Sequence, residues 1–224
     1  MVRDDRKGLT PEEEVALMPE VRAAEERLHR PNMTPLQKHV LYFDTDNDGQ
    51  VSMRDIYRGC RNMGMNIPLA VFNAVVICLT LHWVTRQHIW DRPWLFDVTH
   101  AAWAKHGSDT DIYERTGDFN EGRFEAFCKR WDPNNTGYFT WPTLWRRIKE
   151  DRDMLDVFGW SAAFLEWSML YLIAAEPCKG LSRDTVRKCY DGTLFLDLQK
   201  RHLIRQRERA HRAEAAKAEL AKTK

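Results

Sequence analysis

Leu36, Val40 and Phe43 recur at helical spacing and run directly into an acid-rich loop containing Gly49, so the pattern predicts a helix that ends at an ion-binding turn. Phe124, Phe127 and Trp131 repeat the arrangement and enter a second polar loop around Gly137. Between the two lies an apolar run, 67–84, interrupted by Pro68, Asn73, Thr80 and His82 and followed by a stretch rich in Trp and Arg. A third block, 158–175, spaces Trp160, Phe164, Trp167 and Tyr171 three or four residues apart, as the apolar face of a core helix does. At the front, Thr10-Pro11-Glu12-Glu13 reads as a capping box with proline at the first helical position, opening a charged helix predicted to stop before Pro31.

The first polar loop, Asp44-Thr45-Asp46-Asn47-Asp48-Gly49-Gln50-Val51-Ser52-Met53-Arg54-Asp55, fits the twelve-residue EF-hand pattern. A hard cation such as calcium takes several oxygens at once, and this spacing aims Asp44, Asp46, Asp48, the Gln50 carbonyl, Ser52 and Asp55 at one point, with Gly49 making the sharp turn. Position twelve is Asp55 rather than the usual Glu, and its shorter reach lowers affinity and lets magnesium compete. The second loop, 132–143, keeps Gly137 and the apolar Phe139 but has neutral side chains at its third and fifth positions and Thr143 at its twelfth. It is expected to bind no ion and to pair with the first loop. The prediction is a mainly α fold with an EF-hand pair, one loop functional and one degenerate, split by a membrane-associating insertion at 67–94, with additional C-terminal helices. Residues 1–33 form a charged N-terminal helical appendage, 34–196 the principal domain, and 197–224 a basic tail.

Charge narrows the function classes. The 224 residues carry 34 basic and 33 acidic side chains, a net charge of +1, which gives no global field to gather nucleic acid. Five cysteines make an odd number without a C-x-x-C pair, and the N-terminus lacks the apolar stretch of a signal peptide, so the thiols are expected free in a reducing compartment. For 67–94 two readings stand: a segment lying in one leaflet or droplet monolayer, supported by Trp83, Trp90 and Trp94 beside Arg86 and Arg92, or a core helix with a Trp-rich connection. On spacing alone, His39 and His106 read as hydrogen-bonded core residues rather than ligands, and no Cys/His cluster has zinc spacing. Glu166 reads as a carboxylate at a helix edge, Cys189 as a small buried side chain.

Taken in order, the motifs resemble the caleosins, also called plant seed peroxygenases. They are Leu36-Gln37-Lys38-His39-Val40 before the loop, Ala104-Lys105-His106-Gly107-Ser108-Asp109 after the apolar segment, Asp156-Val157-Phe158-Gly159-Trp160, Leu165-Glu166-Trp167, and Cys189-Tyr190-Asp191-Gly192-Thr193-Leu194-Phe195. The resemblance covers about residues 34–196. It implies a single calcium-binding EF-hand and haem b held by two histidines matching His39 and His106. It also implies association with lipid droplets or the cytosolic face of the endoplasmic reticulum, and oxygenation of unsaturated fatty acids at the expense of a lipid hydroperoxide. Where the family usually has a proline-rich knot at the end of its central segment, only Pro93 stands here. Two rivals are a non-catalytic calcium-binding droplet protein and a soluble calcium sensor that binds partner helices. Homo-oligomerisation is left open.

Overall fold

The computed structural model describes residues 9–85, 95–104 and 108–222. Helix α1 (Pro11–Ala16) opens with the expected capping box, in which Thr10 and Glu13 satisfy each other's backbone N–H groups. It does not continue to Pro31: Pro19 has no N–H to donate and instead starts α2 (Pro19–Leu28) at its first position. A second capping box, Thr34 with Gln37, starts α3 (Pro35–Leu41), the helix that carries His39.

From α3 onward the chain repeats one unit: a helix, a short strand, and a second helix. The first unit is α3, the loop 44–55, β1 (Gln50–Ser52) and α4 (Met53–Asn62). It is followed by α5 (Ile67–Thr85), β2 (Leu95–Asp97) and a 3-10 helix (Val98–Ala104). The third is α6 (Glu121–Trp131), β3 (Tyr138–Phe139) and α7 (Trp141–Glu150), and the fourth α8 (Val157–Ala174), β4 (Leu181–Ser182) and α9 (Arg183–Asp191). Loop backbones match as well. Asn47 and Gly49, Asn135 and Gly137, and Cys178 and Gly180 each place two left-handed residues two positions apart, the geometry that turns a chain sharply from helix into strand.

The strand pairing corrects the expected arrangement. The two acid-headed loops do not pair with each other: β1 pairs antiparallel with β2, setting Val51 opposite Phe96, and β3 pairs with β4, setting Phe139 opposite Leu181. In both ladders the residue after the second strand donates to the glycine carbonyl of the first loop, Val98 to Gly49 at 3.0 Å and Arg183 to Gly137 at 2.8 Å. The fold is thus two pairs of hands in tandem, and 67–85 is the entering helix of the second hand rather than an insertion between partners. The physical reason is the seam. Val51, Phe139 and Leu181 are completely buried and Phe96 nearly so, and each such side chain contributes roughly 1.5–3 kcal/mol when removed from water. Each loop therefore takes the nearest apolar strand in sequence.

The polar residues that interrupt α5 do not break it, because each finds a partner on the helix or beside it. Pro68 sits in the first turn, Thr80 Oγ1 donates to the Val76 carbonyl at 2.9 Å, and Asn73 Nδ2 donates to the Leu69 carbonyl at 3.1 Å and to the Met169 sulfur at 3.4 Å. His82 Nδ1 meets the Leu95 carbonyl at 2.9 Å, tying α5 to β2.

The termini pack together. Val15, Val21, Ala24 and Leu28 of the expected appendage belong to the hydrophobic core, and α10 (Leu194–Lys222) runs past α1 and α2. Lys200 pairs with Glu25, and Arg207 and His211 with Glu14. Beyond His211 the basic helix is solvent-exposed.

Candidate functional site

Where the two pairs of hands meet, they enclose a cavity of about 280 Å3, at the low end of the size range of ligand sites. The first pair lines it with α3, α4, α5, Phe96 of β2 and Ala101 of the 3-10 helix. The second pair contributes α8 and α9, and α10 contributes Phe195. Most of the wall is apolar. The polar groups are His39, Asp109, Tyr113, Glu166 and Tyr190, with Asn73 and Thr85 from α5.

His39 is placed by three contacts. Its helix α3 packs on α9 and on the 3-10 helix, its ring lies 4.4 Å from that of Phe195, and its Nδ1 is 3.0 Å from the Cys189 carbonyl. A carbonyl can only accept, so Nδ1 carries the proton and Nε2 keeps its lone pair. Burial pushes the imidazole below its ordinary pKa, the hydrogen bond to Cys189 opposing this. The result is a neutral imidazole of fixed tautomer on an apolar cavity, which is the donor a haem iron takes. His106, the other expected ligand, lies outside the described residues.

Gly192 keeps this arrangement close. It ends α9 at φ +82°, and a Cβ there would lie 2.8 Å from the Pro35 carbonyl oxygen and 2.9 Å from the His39 nitrogen. Those neighbours are backbone and cannot rotate away. Gly192→Ala is expected to destabilise the protein by about 1–3 kcal/mol, from left-handed strain and forced displacement of α3; a denaturant midpoint equal to wild type would refute the close approach.

Glu166, read in the sequence as a carboxylate at a helix edge, is exposed on α8 and also belongs to the cavity wall. Enclosure pushes its carboxyl up to about 7, by desolvation first and then by Asp109, with Arg147 pulling the other way. The available signal was its isolation: α8 contains no other Asp, Glu, Lys, Arg or His. Trp167 also faces the cavity while stacking on Phe127 at 5.7 Å, so the aromatic stripe is both core and cavity wall. Cys189 is inert, its thiol pushed up to about 12 by burial.

In the loop 44–55, carboxylate oxygens of Asp44, Asp46 and Asp48 lie within 4.8 Å of one another. Asp44 Oδ2 accepts from the Gly49 N–H at 3.1 Å, and Asp44 Oδ1 is buried without a hydrogen bond among the described residues. An orphaned buried carboxylate oxygen is costly unless a cation satisfies it, so this donor set fits calcium. The remaining expected ligands, Gln50, Ser52 and Asp55, make local hydrogen bonds. Asp55 and Ser52 form a capping box with each other at the start of α4, and the Gln50 N–H donates to Asp48 at 2.8 Å. In the loop 132–143, Asp132 accepts from the Thr136 and Gly137 N–H groups and the Thr136 hydroxyl.

Comparison with known proteins agrees with the order of these parts. The family described as "Caleosin related protein" matches residues 31–199. A protein named peroxygenase from Lilium longiflorum is 30% identical over 170 residues, 75% of this chain and 71% of its own length. A probable peroxygenase 4 from Arabidopsis thaliana is 32% identical over 166 residues, 74% of this chain and 85% of its own. A third relative, named as a probable inactive peroxygenase-like protein from Arabidopsis thaliana, is 33% identical over 92 residues, 41% of this chain. With three quarters of its length matched, and the motifs around His39, Glu166 and Cys189 converging on one cavity, the chain belongs to the caleosin family.

Proposed function

We propose that this protein is a calcium-binding, haem-dependent peroxygenase that moves oxygen from a lipid hydroperoxide to an unsaturated fatty acid at a lipid surface. The observation that carries this reading is His39: a neutral imidazole, its tautomer set by the Cys189 carbonyl, on an apolar cavity in a chain whose relatives bear peroxygenase names. His39 Nε2 holds the iron, and His106 is the second histidine assigned to the haem. When bound, the haem supplies the oxygen-transfer chemistry. The chain's own residues do the rest. Ile77, Leu81, Phe96, Leu170 and Ile173 keep water from the reacting groups and accept an acyl chain by burial of apolar surface. The loop 44–55 holds calcium, and its ladder to β2 links the ion to Phe96 in the cavity wall.

A droplet or endoplasmic reticulum surface, approached from the cytosol, is the setting proposed for this chemistry. Ile67, Val71, Phe72 and Leu79 of α5 and Phe158 and Leu172 of α8 are large apolar side chains left exposed, while the same two helices line the cavity with other faces. By length and composition α8 could cross a membrane, but Glu166 and Trp167 commit one of its faces to the cavity, so it is read as a core helix touching lipid from one side. A non-catalytic calcium-binding droplet protein is the competing reading, favoured by the relative named inactive. One measurement separates them. Protein purified with ample haem is expected to show a haem absorption band and to convert oleic acid and cumene hydroperoxide to the epoxide. Absence of both leaves the structural role.

A further inference from the structure

We propose that Glu166 is the acid–base group of the cavity, taking the O–H proton of a bound hydroperoxide and returning it to the alcohol oxygen as the O–O bond breaks. The inference rests on the peroxygenase reading and adds to it the residue that handles the proton. Overall, ROOH and an alkene give ROH and an epoxide. The O–O bond and the alkene π bond break and two C–O bonds form; the hydroperoxide is reduced by two electrons and the alkene oxidised by two. The proton removed by Glu166 ends on ROH, and the carboxylate is regenerated.

Glu166 is placed where it can meet a bound hydroperoxide. It sits in the middle of an otherwise uncharged helix, next to Trp167 and close to Met169 and Leu170 on the same cavity. It is exposed and makes no hydrogen bond with any described residue. Its opening is onto the cavity that His39 also lines. Perturbed carboxyls in clefts mark functional sites more often than chance.

The neighbouring groups leave the proton task to it. Asp109 precedes the strand-like segment at Tyr113 and faces Glu166 electrostatically, as do Arg147 from α7 and Cys189 from α9. Arg147 is already paired with Asp151 at 3.1 Å. Burial holds Tyr113, Tyr190 and the Cys189 thiol in their protonated forms. His39 has one nitrogen on the Cys189 carbonyl and the other assigned to iron. Glu166, held near 7, can both accept and give a proton at neutral pH.

The test compares wild type, Glu166→Gln and Glu166→Asp, each purified with haem. Wild-type oxygen transfer is expected to rise with pH through about 7, because the base must be ionised. Glu166→Gln is expected to keep haem content and absorption band, lose about 100-fold or more in rate, and lose the pH-dependent rise. Glu166→Asp, which keeps the carboxyl, is expected to keep the rise at reduced rate; if the Gln variant loads no haem, a flat Asp profile overturns the assignment. A readout independent of turnover is the infrared spectrum of the haem-free protein. A protonated carboxyl band should disappear as pH is raised through about 7 in wild type and be missing in Glu166→Gln. An active wild type with an equally active Gln variant, or no such titrating band, overturns the role of Glu166 alone. A wild type with haem but no oxygen transfer overturns the peroxygenase reading and this inference with it.

Discussion

Replacing His39 with valine is expected to abolish haem retention and oxygen transfer together. Valine has the size to remain in the apolar wall beside Phe195 but offers no nitrogen to iron. The substitution also removes one of the two donors to the Cys189 carbonyl, the Tyr113 hydroxyl at 3.5 Å remaining, a loss of about 0.5–1.5 kcal/mol. That cost is small enough for the fold to survive, so circular dichroism and calcium-dependent melting should remain close to wild type. His39→Gly supplies the decisive control: added imidazole is expected to enter the vacated space and restore the absorption band. His29→Gln alters a solvent-exposed ring bonded only to its own helix at the Glu25 carbonyl, and should change neither band nor rate. If His39→Val retains a wild-type band, His39 is not an iron ligand, and the cavity must be assigned to another ligand.

The second large effect concerns calcium. Asp44→Ala combined with Asp48→Ala removes two of the three clustered carboxylates, and calorimetric titration of the pair is expected to show affinity lowered at least about 100-fold, with one site in wild type. Ligand binding to the folded state alone stabilises it, by about 2.7 kcal/mol at a hundredfold excess over Kd. Wild type should therefore melt at higher temperature when calcium is added and the double variant should not. The ladder Val51–Phe96 extends the consequence to the cavity. Calcium removal is expected to loosen β1 and β2 and with them Phe96, weakening haem affinity without touching His39. Two bound ions in wild type, or binding that survives both substitutions, would place the calcium site elsewhere.

Several features were legible because they are local. The capping box at Thr10, the acidic loop with its glycine, and the helical spacing of Leu36, Val40 and Phe43 each depend on residues within a turn or two of one another. Spacing in the sequence is then nearly spacing in space. His39 was found through the motif around it. The second hand of each pair was harder to see; the loop before β4, for one, lacks the Asp that heads 44–55 and 132–143. What survives is a short signature, Gly180-Leu181-Ser182, echoing Gly49-Gln50-Val51-Ser52 and Gly137-Tyr138-Phe139-Thr140, in which a glycine leads to a buried apolar residue and then a helix cap.

Alone, the amino-acid sequence determined where the first helix starts, which loop collects carboxylates, and which family the motifs resemble. Only the tertiary structure decided which strands pair, and it set Val51 against Phe96 and Phe139 against Leu181 because each apolar strand is buried by the neighbour its own unit brings nearest. It also decided the character of Glu166. The residue type and its place in α8 fit an exposed helix edge, and only the packing of α3, α5, α8 and α9 around one cavity sets the carboxyl on that cavity and raises its pKa. Charge state is a property of surroundings, and those surroundings come from four helices far apart in the chain.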